Sequence, residues 1–370
     1  MNKIEGLMRE SEIDAQFQVW RESMKTALLK QALHALNWIG APSWAPAALR
    51  GNGAIFMLHR VRTEPLPEFA PNRILEITPD MLDRVLHRVR DLDYDIVTLD
   101  EAVHRLRHGA KRRFAVFTFD DGYKDNLTQA LPVFEKHDAP MTIYVSAGMP
   151  DGTMEIWWVA LEEIIRKADH LETEIGGRHV SMPAKTARQM DLAFARLYWP
   201  LRAMDEDALR AAIRQLAAQH GISIPKITEE SALSWDDVKT LHAHPLVTIG
   251  SHTVDHFALC KVSEERARME MKRGAEAIAG HIGEMPRHFA YPFGDASSAG
   301  EREFRLAREL GFETATTTRK GLIFEHHQEY MTALPRISLN GDYQDIRLID
   351  VLMSGVPFPF GRLIPSLGVA

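Results

Sequence analysis

The chain has 370 residues, 45% of them hydrophobic and 26% charged, with 44 basic against 51 acidic side chains. That length and composition exclude a disordered or fibrous chain and suit one large domain, or one domain carrying a sizeable insertion. A formal charge of −7 and a single cysteine, Cys260, argue against a backbone-driven nucleic-acid binder, an internal disulfide framework and a thiolate zinc cluster, whereas 17 histidines leave room for an imidazole metal site.

The first residues are too polar for a secretory signal. From Met24 the text turns basic and then apolar, and the spacing predicts a helix over 27–39 with Leu29, Ala32, Leu33, Leu36 and Ile39 near one stripe. Three readings stand for residues 24–40: a packing helix, an interfacial helix at a membrane surface, or a signal that starts at Met24. Without an evident signal the chain is read as cytoplasmic, with peripheral contact at the inner membrane as the alternative. Residues 54–58 read as a buried strand ending at His59. Thr78-Pro79 opens a helix, 95–99 a strand, and Glu101–His108 a helix stopped by Gly109. The run 114–119 reads as a strand covered on both faces, followed by helix 125–137 and strand 141–145. This alternation implies an α/β parallel sheet or barrel, with its chemistry at the carboxyl ends of the strands.

Residues 155–245 break the pattern with amphipathic helical segments and read as a mostly helical insertion. Alternation resumes with strand 246–250, helix 263–282 capped by Ser263, strand 287–292, helix 299–310 and strand 312–317. The expected organisation is an N-terminal extension over 1–50, a barrel over 51–154 and 246–345, the insertion over 155–245, and a tail over 346–370, irregular from Val356.

Two short segments carry candidate chemistry. Thr118-Phe119-Asp120-Asp121-Gly122 ends the strand over 114–119. Adjacent carboxylates in a dry site call for a cation, although Asp-Gly alone also fits a solvated turn. Ser251-His252-Thr253-Val254-Asp255-His256 follows the strand over 246–250. Its His-x3-His spacing suits a shared metal, and alone also fits surface or capping histidines. Together they supply one carboxylate and two imidazoles with a position left for water, as in a hydrolytic zinc site. The remaining carboxylate is then a natural general base.

In this order TFDDG, SHTVDH and FAYPFG resemble the NodB-homology polysaccharide deacetylases, carbohydrate esterase family 4, over roughly residues 54–150 and 246–340. The resemblance implies a distorted (β/α) barrel and metal-dependent removal of N-acetyl groups from an amino-sugar glycan or glycolipid intermediate. It implies Asp120 as base and Asp121, His252 and His256 as ligands of a divalent metal. Zn²⁺ is the expected ion, and Fe²⁺ and Co²⁺ also suit the donor set. Tyr291-Pro292-Phe293-Gly294 would face the substrate, with a backbone N–H near Tyr291 holding the oxyanion.

Two family features are missing. Ala290 stands where the third motif usually has an arginine, and Arg287 faces the other way along its strand, as an ion-pairing residue. The late leucine-x-histidine is replaced by a segment offering Arg336, which could orient Asp120 or form a structural ion pair. His59 is the candidate general acid, or else a histidine hydrogen-bonded in the barrel mouth. Phe293, Tyr291, Trp157 and Trp158 are candidates for stacking on a sugar. His326-His327 and His242-x-His244 read as surface residues, and Cys260 as a buried small hydrophobe. The missing motifs keep two alternatives open: a non-catalytic metal- and sugar-binding descendant, and a hydrolase of a cyclic, non-sugar amide.

Overall fold

The computed structural model describes residues 27–109 and 111–358. In chain order the strands are β1 (Gly53–Leu58), β2 (Arg60–Val61), β3 (Glu76–Ile77), β4 (Tyr94–Ile96), β5 (Arg113–Phe119), β6 (Met141–Val145), β7 (His170–Ile175), β8 (Arg178–Pro183), β9 (Val247–Ser251), β10 (His288–Ala290), β11 (Thr314–Lys320) and β12 (Leu334–Ser338). The main sheet runs β1-β12-β11-β10-β9-β6-β5-β4, and β1 also pairs with β5. That pairing closes seven parallel strands into a barrel, with β4 beside β5 outside the ring. Register is carried by pairs such as Phe56↔Phe117 and Leu58↔Phe119. Strand β1 is apolar throughout and β5 is nearly so, with only Arg113 at its start and Thr118 near its end, because interior and helix-facing sides are both covered. Phe56 and Phe117 stack at 4.8 Å in that core. Burying such a ring contributes about 1.5–3 kcal/mol.

Local signals set the helix starts. Thr78 caps Pro79–Asp91 by accepting from the Met81 N–H, and Thr98 caps Leu99–His108 through the Glu101 N–H. Thr98 therefore belongs to a cap, and the strand expected over 95–99 is the shorter β4. The helix expected over 125–137 opens as a π turn, Asn126–Ala130, before Leu131–Lys136. Pro132 has no N–H to give to the preceding turn, and the Leu131 N–H reaches back to the Asn126 carbonyl instead. Beyond β12, the expected tail opens with a helix, Ile346–Met353. Its Asp350 pairs with Arg88 at 2.7 and 2.9 Å. The last residues of the expected tail, 359–370, lie outside the described residues.

The chain divides into two compact units. The barrel unit holds Leu33–Glu64, Leu75–Met154 and the chain from Thr228 onward. The other contains Pro65–Ile74 and Glu155–Ile227. Within the latter, helices Trp157–Lys167, Ala187–Ala203 and Glu206–His220 accompany an antiparallel hairpin, β7 with β8. Leu171, Thr173 and Ile175 alternate inward along β7, and Gly176 and Gly177 turn the chain at positive φ. The insertion is thus less purely helical than its amphipathic segments suggest. Residues from Thr228 belong with the barrel, including helix Trp235–His242.

At the N-terminus, residues 27–38 are helical. Leu33 is buried, but Ala32 and Ile39 of the expected stripe are exposed, as are Trp38 and Trp44. Part of the expected segment, 24–26, lies outside the described residues. No helix among the described residues is long and apolar enough to cross a membrane.

Candidate active site

Strands β1, β5, β9 and β12 bring the candidate residues to one end of the barrel. Asp120 follows the last residue of β5, and its N–H donates to the Leu58 carbonyl at 2.9 Å, which extends the β1–β5 ladder by one bond. Asp121 then turns back with φ +76, followed by Gly122 at φ +94. A positive φ is strained for a residue with a Cβ, and here it is fixed by the Ser146 N–H donating to the Asp121 carbonyl at 3.1 Å. The two neighbouring carboxylates are thereby aimed at different partners.

Asp121 Oδ1 lies 3.3 Å from His252 Nε2 and 3.2 Å from His256 Nε2. All three residues are buried, and together they are the only group among the described residues whose donor atoms would suit a metal. His252 Nδ1 donates to the Ala290 carbonyl at 2.7 Å, which leaves the Nε2 lone pair facing Asp121. Asp121 Oδ1 has no hydrogen bond within the protein. An orphaned, buried carboxylate oxygen opposite two imidazole nitrogens fits a divalent cation, and the mixed N/O donor set suits zinc or its neighbours.

Asp120 is bound differently. Arg336 of β12, fully buried, donates from Nη1 and Nη2 to its two carboxylate oxygens, both at 2.7 Å. The guanidinium is held in turn by Nη1 donating to Thr118 Oγ1 at 3.0 Å and Nε donating to the Thr317 carbonyl at 2.9 Å. Burial raises Asp120, and the charge and hydrogen bonds of Arg336 outweigh it, keeping the carboxyl below its usual range. His59 Nε2 stands 3.9 Å from Asp120 Oδ2, and its side chain keeps a fifth of its surface open. Ala290 is buried at the end of β10 and contributes its carbonyl alone.

The third motif divides. Phe293, at φ +61, sets its ring edge-on to His256 at 4.6 Å, and the Thr318 hydroxyl donates to its carbonyl. Tyr291 does not face the site: it is fully buried, and its hydroxyl donates to the Thr332 carbonyl at 2.8 Å. The strand ends at Ala290, so strand alternation does not govern Tyr291. Pro292 and Gly294 are buried turn residues; a Cβ on Gly294 would lie 2.7 Å from the Thr318 nitrogen. Trp157 and Trp158 are likewise core residues, Trp157 stacking on Tyr198 at 5.0 Å within the helical unit. Arg287 precedes β10 rather than lying in it, and pairs with Asp100 and Glu313. Cys260 is exposed rather than buried, because Leu259 takes the inward place in its turn; its thiol donates to Glu303.

Sequence reasoning missed Thr118, Ser146 and the Ala290 carbonyl, each of which acts on a site residue through a hydrogen bond. Thr118 sits inside the first motif and could have been found there; the other two have no signal in residue type.

A closed parallel barrel with its ionisable residues gathered at the strands' carboxyl ends defines a (β/α)-barrel protein. The chain belongs to the polysaccharide deacetylase family, whose pattern matches residues 107–315, more than half its length. Among curated proteins, none matches the sequence. Its fold is similar to that of a Streptococcus pyogenes deacetylase, PplD, solved with acetate, at TM-score 0.53 and 18% identity over 81% of this chain and 97% of that one. IcaB from Ammonifex degensii is similar at TM-score 0.51 and 18% identity, covering 82% and 97%. BC0361, a Bacillus cereus polysaccharide deacetylase, gives 0.51 and 15%, covering 81% and 68%.

Proposed function

We propose that this protein is a metal-dependent hydrolase that removes N-acetyl groups from an amino-sugar glycan or glycolipid. The observation that carries the reading is the division of labour between adjacent carboxylates, with Asp121 against two imidazoles and Asp120 clamped by a guanidinium. Asp121, His252 and His256 would hold a divalent cation, which when bound supplies Lewis-acid polarisation of the amide carbonyl and acidifies a water. Asp120, kept ionised by Arg336, takes the proton of the attacking water as general base. Arg336 touches no reacting atom and acts by positioning Asp120. His59 gives a proton to the departing amine, and the products are acetate and a free amino sugar. Phe293 forms an apolar wall beside His256, suited to an acetyl methyl group.

The test is acetate release from an N-acetylated chitooligosaccharide, lost on chelation and restored by Zn²⁺. Asp120→Asn is expected to keep the metal and lose activity, whereas Asp121→Asn loses both; the reverse pattern would exchange the two roles. One equivalent of bound metal without turnover of any acetamide would instead indicate a non-catalytic binder.

A further inference from the structure

The loop His252–His256 carries two of the proposed metal ligands and closes on itself through one hydrogen bond, the His256 N–H donating to Thr253 Oγ1 at 3.1 Å. Thr253 has φ +68 and His256 φ +55, a left-handed conformation that is strained above all at the β-branched Thr253. Such strain persists only where neighbours over-determine it. On one side the loop after β6 supplies them: the Ala147 and Gly148 N–H groups donate to the Thr253 and Val254 carbonyls, each at 3.0 Å. On the other side stands a single helix, Glu264–Ile282.

Three residues on one face of that helix, spaced by four, meet the loop and the residue after it in order. Arg266 lies over the Phe257 ring at 4.6 Å. Glu270, buried, accepts from the Val254 N–H at 3.2 Å and the Asp255 N–H at 3.0 Å through the same oxygen, Oε2. Gly274 lies against Thr253 so closely that a Cβ there would sit 2.6 Å from the Thr253 carbonyl carbon and oxygen. A buried glutamate in a helix is costly unless its carboxylate is used, and this one answers two N–H groups that no strand or turn satisfies. The missing side chain at 274 lets the helix approach near enough for Glu270 to reach them.

We infer that Glu270 and Gly274 are positioning residues for metal binding: the helix face they share holds the His252–His256 loop in the shape that points both imidazoles at Asp121. The inference rests on the metal reading above. Its test is Zn²⁺ affinity, measured by competition with a chromophoric chelator on the otherwise intact chain, together with the melting temperature of each metal-free variant. Glu270→Ala and Gly274→Ala are each expected to weaken Zn²⁺ binding about ten- to a hundred-fold, the range seen when groups supporting metal ligands are removed. Glu270→Gln should stay within about threefold of wild type, since one amide oxygen can accept both N–H groups as Oε2 does. A substituted Co²⁺ spectrum should shift in the two alanine variants and not in Glu270→Gln. Wild-type affinity in folded Glu270→Ala would overturn the inference, as would equal loss in Ala and Gln. Absence of stoichiometric metal in the wild type would overturn the metal reading itself, a distinct outcome.

Discussion

Replacing Arg336 by methionine tests the clamp on Asp120 most directly. The substitution keeps an unbranched apolar stem of similar reach and removes four donated hydrogen bonds, two of them to the Asp120 carboxylate at 2.7 Å. Both partners are buried, with Asp120 2% and Arg336 0% exposed, so solvent cannot take over the lost interaction. Removing one member of such a pair strands the other charge and typically costs about 3–5 kcal/mol. The pH dependence has a definite sign. In the wild type Asp120 lies below its unfolded-state value, so the pair's contribution is present above the ordinary carboxylate range and disappears as pH falls through the folded-state value. In Arg336→Met, burial becomes the leading influence and raises the carboxyl, so protonation relieves the stranded charge. The stability gap between the two proteins should therefore be widest near neutral pH and narrow on acidification. Urea unfolding in the presence of a chelator, followed by tryptophan fluorescence at neutral and mildly acidic pH, measures both quantities. The double variant Arg336→Met with Asp120→Asn should recover part of the loss, because no buried charge is left unpaired. A deficit below about 1 kcal/mol, the range of exposed pairs, would refute the buried clamp. So would a gap that widens as pH falls.

Two further outcomes follow from the same geometry. His59→Ala should lower kcat for acetate release by roughly 10²–10⁴, the usual worth of a proton donor, while metal content stays unchanged; an unaltered kcat would remove His59 from the reaction. At Cys260, partial desolvation of the sulfur against its neighbours and the Glu303 carboxylate push the thiol up to about 11, although the residue as a whole is exposed. At pH 8 its thiolate fraction is then roughly two-hundred-fold below that of an ordinary thiol near 8.5, so alkylation by iodoacetamide should be slow and accelerate about tenfold per pH unit up to about pH 10. Labelling at the rate of free cysteine would contradict the Glu303 contact.

The barrel was legible where its strands are doubly covered. Runs such as 54–58 and 114–119 have no polar face, and a strand of that kind fits only a sheet buried on both sides. Closure was not legible, because the β1–β5 pairing joins segments about sixty residues apart and depends on accumulated twist and stagger. The hairpin β7–β8 did carry a signal, two glycines between alternating Leu171, Thr173, Ile175 and Val180, Met182, but the charged residues interleaved with them masked it. Asp120, Asp121, His252 and His256 could be named because their types and spacing are chemical requirements. Glu270 could not, since a glutamate in a helix of low mean hydropathy reads as solvated unless the neighbouring loop is known.

The arginine illustrates how a chemical requirement can outlast its position. Strand β1 lies between β12 and β5, pairing Phe56 with Ile337 on one side and Leu58 with Phe119 on the other. A long side chain from β12 therefore has only one strand to cross to reach the carboxylate at the end of β5, a span that a guanidinium on a three-carbon stem can bridge. Position 290 meanwhile serves through its carbonyl, which fixes the His252 tautomer and needs no side chain. Asp120 needs no second cation, because Arg336 already donates to both of its carboxylate oxygens. The small residue on β10 and the large one on β12 therefore serve different partners: Ala290 orients His252 through its backbone carbonyl, and Arg336 orients Asp120 through its side chain.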